Sequence, residues 1–139
     1  MQQSEILSIL IADDDRDDWE FATLAFAEAA VPHTLKFVAN GDELMHHLYH
    51  AEKAGAGFPD MILLDLNMPK KDGREALKEI KADPSLRHLN VVIFSTTISE
   101  EDKAYTTRLG VTRHITKPFQ FSDLVATVKE LCESFVLSA

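Results

Sequence analysis

Five short apolar runs recur along the chain, at Ile6 to Ala12, Thr34 to Ala39, Met61 to Asp65, Val91 to Ser95 and Val111 to Thr116. The segments between them carry apolar residues at helical spacing. They are Trp19 to Ala30, with Trp19, Ala22, Phe26 and Ala29 in phase, then Asp42 to Ala51, Arg74 to Ala82 and Glu100 to Leu109, with Phe121 to Phe135 closing the pattern. Strand-length runs alternating with amphipathic segments predict βα units on a parallel sheet covered by helices on both faces. Punctuation marks the boundaries: Asp72-Gly73 precedes the third helix, Asp83-Pro84 ends it, Ser99 can cap the fourth, and Ser122 or Asp123 can start the fifth.

The runs differ in how apolar they are, and the difference predicts their order. ILSILI, MILL and VVIF are nearly continuous, as in strands buried on both faces, whereas TLKFVA and VTRHIT admit polar residues and read as edges. The sequence therefore predicts a single α/β domain of the doubly wound (βα)5, flavodoxin-like type, with strand order 2-1-3-4-5. In that order the sheet reverses between strands one and three, and ligands bind beyond the carboxyl ends of the strands at such a point.

What stands at those ends is polar and charged. Strand one runs into Asp13-Asp14-Asp15, strand three ends in Asp65, strand four in Ser95-Thr96, and strand five in Lys117-Pro118. Each group alone has an ordinary explanation as a cap, a turn or a loop. Their convergence demands more, because two carboxylates about 4 Å apart repel by roughly 4 kcal/mol at an effective dielectric near 20. Lys117 supplies one neutralising charge. A divalent ion bound by carboxylate oxygens and water would supply the rest, and Mg²⁺ suits that donor set.

Composition narrows the chemistry further. A chain of 139 residues is one domain's length, able to bury roughly 70% of its unfolded surface. Its formal charge of -9, from 23 acidic against 14 basic residues, opposes contact with nucleic acid or anionic lipid. The single cysteine, Cys132, leaves no disulfide framework and no CxxC motif. The opening MQQSEILSIL lacks a basic n-region and a small-residue cleavage site, so a cytoplasmic protein is expected, and no apolar stretch approaches a membrane span. There is no Ser-His-Asp or Cys-His arrangement, no GxxxxGK[ST] loop and no Gly-rich turn after strand one. What remains is a carboxylate nucleophile beside a metal, a lysine and a hydroxyl. Aspartate can form an aspartyl phosphate, and phosphoryl transfer needs chiefly in-line positioning and neutralisation of oxygens. Asp65, alone at the tip of the central third strand, is the candidate nucleophile.

The series Asp13-Asp14, Asp65-Leu66-Asn67-Met68-Pro69, Asp72-Gly73, Ser95-Thr96 and Lys117-Pro118-Phe119 resembles the receiver domain of two-component response regulators, from Ile6 to about Leu131. The resemblance implies Mg²⁺-dependent phosphorylation of Asp65 by a phosphohistidine, on a sensor histidine kinase or a histidine phosphotransfer protein. It implies that Asp14, Asp65 and the backbone carbonyl of Asn67 ligate the ion, with Asp13 acting through water. Lys117 would pair with the phosphoryl group and Ser95 would bond it. Ser95 and His114 hold the switch positions, His114 standing where the family usually has Tyr or Phe, and Asn67 and Thr96 lie where side chains gate water. The Lys117-Pro118 peptide is expected to be cis. Only a few residues follow the fifth helix, so one receiver domain over 1–139, without an output domain, is expected. It would signal by binding a downstream protein or pass its phosphoryl group along a relay, catalysing nothing beyond its own phosphotransfer and slow dephosphorylation.

The same residues admit rivals. A haloacid-dehalogenase-type phosphatase shares the Asp nucleophile, hydroxyl, Lys and Mg²⁺, but it carries an acid where this chain has Asn67, and Asn cannot donate and retrieve a proton. A flavin-binding module would need a phosphate-cradling loop where three carboxylates stand. Elsewhere, His46 and His50 of HHLYH lie one turn apart, as a two-ligand metal pair or a solvated helix face. Trp19, Phe21, Leu24 and Phe26 read as core. Val136 and Leu137 could extend helix five into a homodimer contact or fold back on the domain. The stretch 52–59, EKAGAGFP, is a long connection that resembles a stand-alone subgroup related to the response regulators of bacterial phytochromes, or is a tolerated surface insertion.

Overall fold

The computed structural model describes residues 6–54 and 57–138, apart from the side chains at 52–54, 137 and 138. Strands β1 (Leu7–Ala12), β2 (His33–Val38), β3 (Met61–Leu64), β4 (Val91–Ser95) and β5 (His114–Thr116) alternate with helices α1 (Arg16–Ala29), α2 (Gly41–Ala54), α3 (Gly73–Ala82), α4 (Glu100–Arg108) and α5 (Phe121–Ser138). The strands form one parallel sheet in the order β2-β1-β3-β4-β5, as the apolar content of the runs predicts. β3 and β4 are buried at every position, while β2 alternates and β5 is half-exposed.

The period-two alternation of strand side chains divides the core into two layers. Leu10, Ile62, Leu64, Val91 and Ile93 pack beneath α2 and α3 with Leu44, Leu48, Leu77 and Ile80. Ile9, Ile11, Met61, Leu63, Val92 and Phe94 face α1 and α5, with Phe26, Leu124, Val128 and Leu131. Cys132 is buried in this second layer. Among the described residues no helix is long and apolar enough to cross a membrane.

Caps set the helix starts. Asp72 accepts from the amides of Arg74 and Glu75 while Glu75 reaches back to the Asp72 amide, completing a capping box, and Ser99 accepts from Asp102 N–H. Asp15 caps α1, which begins at Arg16, three residues before the expected start at Trp19, because Asp17 and Asp18 favour the positive end of the helix. α5 starts at Phe121, ahead of Ser122 and Asp123, since the Gln120 carbonyl already accepts from Leu124 N–H. The fifth strand is shorter than the run from Val111 suggests: Val111 N–H bonds Thr106 O and its side chain enters the α2/α3 layer, so it closes α4 instead of joining the sheet.

Two further expectations change, and one pair of alternatives is narrowed. Leu24, expected in the core, is 55% exposed on α1, because the buried face of that helix is carried by Ala22, Ala25, Phe26 and Ala29. α2 runs to Ala54, so it takes up the start of the long connection assigned to 52–59, of which 55 and 56 lie outside the described residues. α5 continues as helix through Ser138 with Val136 exposed, and the side chain of Leu137 lies outside the described residues.

Candidate functional site

The parallel ladder sets Ala12 beside Leu64 and Ser95 beside Thr116, so the residues after each strand emerge together at one edge of the sheet. Backbone bonds hold them there: Asp13 N–H donates to Val38 O, Asp65 N–H to Ala12 O and Lys117 N–H to Ser95 O, at 2.9 to 3.0 Å. The Lys117-Pro118 bond is trans, since no cis peptide occurs among the described residues, in contrast to the expectation from the resemblance. Trans is the lower-energy form of an X-Pro bond, and the ladder bond from Lys117 already directs its side chain into the site.

Lys117 is the centre of the charge arrangement. Its ammonium lies 2.6 Å from Asp13, 2.9 Å from Asp18 and 3.0 Å from Asp65. Asp65 is held from its other side, where Oδ1 accepts from Ser95 Oγ at 2.8 Å and from Asn67 N–H at 2.9 Å. Both carboxylate oxygens of the candidate nucleophile are therefore oriented. Burial pulls the Lys117 ammonium down, but the hydrogen bonds to Asp13 and Asp18 and the charges of Asp13 and Asp65 outweigh it, and its pKa is raised. Lys117 stays charged at neutral pH.

One atom from each of Asp13, Asp14 and Asp65 lies within 4.8 Å of the others. That is about the span of opposed oxygens around a single Ca²⁺ or, allowing small side-chain movement, Mg²⁺. The donors are all hard oxygens, which fits such an ion. Asp14 is exposed and its carboxylate accepts no bond from a described residue, whereas Asp13 already uses Oδ1 on Asp15 N–H and Oδ2 on Lys117. Among the three, Asp14 is thus the carboxylate that no described residue engages, while both oxygens of Asp13 are already bonded. His46 and His50 are exposed with stacked rings 6.4 Å apart, and among the described residues no third group joins them as a metal cluster.

Asp13 carries the clearest titration. Burial pushes its pKa up to about 6, against the hydrogen bond from Lys117, so folding favours the neutral form. The stability that goes with this raised pKa is fully present below its unfolded value near 4 and is lost as pH rises through about 6. In EDTA, lowering pH from 7 to 5 should thus stabilise the wild type relative to Asp13→Asn by up to about 1.4 kcal/mol per pH unit. His47 and His114, with pKa values lowered chiefly by burial, act in the opposite direction but are present in both proteins. Urea midpoints across that range test the difference; parallel curves for the two proteins would contradict it.

Three contributors were not apparent from sequence. Asp18, one turn after Asp14, turns inward to Lys117. Trp19 is half-buried, stacks on Phe37 at 5.0 Å and donates from Nε1 to Asp13 O at 2.6 Å, so it braces the site instead of filling the core. Arg74 makes two 2.7 Å bonds to Asp102 on α4, one to Leu66 O at 3.1 Å and a longer one to Asn67 Oδ1 at 3.4 Å. It ties the loop after β3 to α4. The only signals available were acids at helical spacing and an Arg beside a Gly. Asn67 and Thr96 stand exposed at the rim, and Asn67 Nδ2 lies 3.5 Å from Ser95 Oγ. His114 lies on β5, and its Nε2 is 2.7 Å from the hydroxyl of the buried Thr106 on α4.

A family model described as the response regulator receiver domain matches residues 9–129. Response regulator Rcp1 of Synechocystis sp. is 35% identical over 130 residues, covering 93% of this chain and 88% of that protein. Among solved structures, the phosphorylated cyanobacterial phytochrome response regulator RcpA aligns with a TM-score of 0.86 at 41% identity, covering 97% of both chains. The Mn²⁺-bound form of response regulator Rcp1 aligns at 0.79 with 33% identity, covering 90% of this chain and 91% of that one. The likeness to RcpA agrees with the phytochrome-related subgroup expected from the sequence.

Proposed function

The chain belongs to the family of response regulator receiver domains, and from that premise we propose that it accepts a phosphoryl group on Asp65 from a phosphohistidine and signals through the contacts this alters. The observation that carries the reading is the grip on Asp65: a hydroxyl and an amide on one oxygen, an ammonium on the other. That grip fixes the carboxylate for in-line attack, and Lys117 stands ready to neutralise charge on the transferred oxygens. Asp14, Asp65 and the Asn67 carbonyl would hold Mg²⁺, with Asp13 reached through water. When bound, the ion supplies further neutralisation of the phosphoryl oxygens and relieves repulsion among the carboxylates. Asn67 offers no proton to transfer, which separates this site from a turnover phosphatase of the haloacid dehalogenase type.

The donor is a sensor histidine kinase or a histidine phosphotransfer protein, and the product is read by a protein partner or returned to a relay. Ser95 and His114 are the pair through which the change passes outward. Ser95 bonds Asp65 directly, and the His114 imidazole is fastened to α4 through Thr106.

Incubation with acetyl phosphate tests this. A gain of one phosphoryl mass that needs Mg²⁺, followed by borohydride reduction that converts residue 65 to homoserine, is the expected result. In the same sample the His114 ring resonances should move. Absence of an adduct, or reduction at another residue, would overturn the assignment of Asp65, and unmoved His114 resonances would remove His114 from the switch.

A further inference from the structure

We propose that Asp18 is a positioning residue that competes with the incoming phosphoryl group for Lys117; the proposal rests on phosphorylation at Asp65. An ammonium has three N–H donors and no more. Here all three are engaged, by Asp13, Asp18 and Asp65 at 2.6, 2.9 and 3.0 Å. A phosphoryl group turns the Asp65 carboxylate into a neutral acyl ester, so the N–H that Asp65 held passes to one phosphoryl oxygen, and Lys117 can bond a second only by releasing Asp13 or Asp18.

Exposure decides which carboxylate is released. The side chain of Asp13 is 3% exposed, so it would lose its cation with little water to replace it. Asp18 is 38% exposed, and solvent can take over its hydrogen bond. It also lies in the first turn of α1, where the helix end favours a carboxylate even without the lysine. Asp18 therefore holds, in the resting protein, the Lys117 hydrogen that a second phosphoryl oxygen takes. An exposed ion pair of this kind is weak, so the competition is a brake and not a block.

Beryllofluoride in Mg²⁺, a phosphoryl mimic, gives the test without any transfer step. Trp19, the single tryptophan and bonded to the carbonyl of Asp13, reports binding by its fluorescence. Asp18→Asn and Asp18→Ala should lower the half-saturating beryllofluoride concentration by about fivefold. Asp18→Glu, which keeps the charge and can reach Lys117, should restore the wild-type value. Asp17→Asn removes an equal charge from the neighbouring exposed position, whose carboxylate is not among the partners of Lys117, and should leave binding unchanged. An unchanged or higher half-saturation in both Asp18→Asn and Asp18→Ala overturns the competition, as does an equal fall in Asp17→Asn, which would make the effect one of general charge. Wild-type protein that binds no beryllofluoride in Mg²⁺ would instead overturn the receiver chemistry on which the proposal rests.

Discussion

Lys117→Met is expected to lower the stability of the metal-free protein by about 3–5 kcal/mol at neutral pH. Methionine matches the length and much of the volume of lysine, so packing changes little and the effect isolates the charge. Four carboxylates, Asp13, Asp14, Asp18 and Asp65, crowd this edge of the sheet, and three of them bond the one ammonium. Its removal strands two carboxylates, Asp13 and Asp65, in the protein interior. The pH dependence follows from the same physics. Asp13 sits at about 6 with the ammonium in place, chiefly through burial, and without Lys117 it moves further up. A raised carboxylate favours the fold while protonated, so the deficit of Lys117→Met should narrow toward pH 5 and widen above pH 7. Saturating Mg²⁺ should recover much of the loss, because a divalent ion on the carboxylates replaces the missing charge. Urea unfolding of both proteins in EDTA and in Mg²⁺ checks all three points. A variant as stable as wild type in EDTA at pH 7.5 would show that the carboxylates are already neutralised by protons or water.

Gly73→Ala is expected to destabilise by about 2–3 kcal/mol and to slow phosphorylation from acetyl phosphate by about 100-fold. Gly73 opens α3, and a Cβ there would lie 2.3 Å from the carbonyl oxygen of Asp65 and 2.7 Å from the Cα of Leu66. Both are backbone atoms, so no rotamer change relieves the clash. Helix propensity works the other way, since Ala is better than Gly by up to about 1 kcal/mol within a helix. Overpacking against backbone outweighs that gain. Relief requires that the start of α3 and the Asp65-Leu66 segment part, and Gly73 N–H then loses its 3.1 Å bond to Leu66 O. The nucleophile moves with that segment, which is why the rate suffers more than the stability. Unfolding midpoints together with adduct formation rates measure the two effects separately. Wild-type values in both would mean that the loop after β3 yields freely.

The two variants probe parts of the site that differed in how far the sequence disclosed them. Gly73 was legible as punctuation before a helix, but the contact that forbids a side chain there belongs to Asp65, eight positions earlier in the chain and brought back by the fold. Lys117 was legible as a lysine at a strand end. Asp18 as its third partner was not, because an acid in the first turn of a helix is ordinary capping chemistry until the partner strand is placed. Leu24 and Trp19 failed in the reverse sense: both large apolar side chains read as core, yet one faces solvent and the other braces the carbonyl of Asp13.

The sequence by itself determined the elements, their order in the sheet and the edge at which the chemistry gathers. These depend on local periodicity, on caps such as Asp72 and Ser99, and on how many faces of each strand are apolar, all of which are written in short windows of chain. Only the tertiary structure decided which acids meet the lysine, how strongly Asp13 is pushed toward its neutral form, and that Arg74 joins the Asn67 loop to α4. The physical reason is distance along the chain. Lys117 and Asp13 are 104 residues apart, and an ion pair's geometry and desolvation exist only once the parallel strands have brought their ends together.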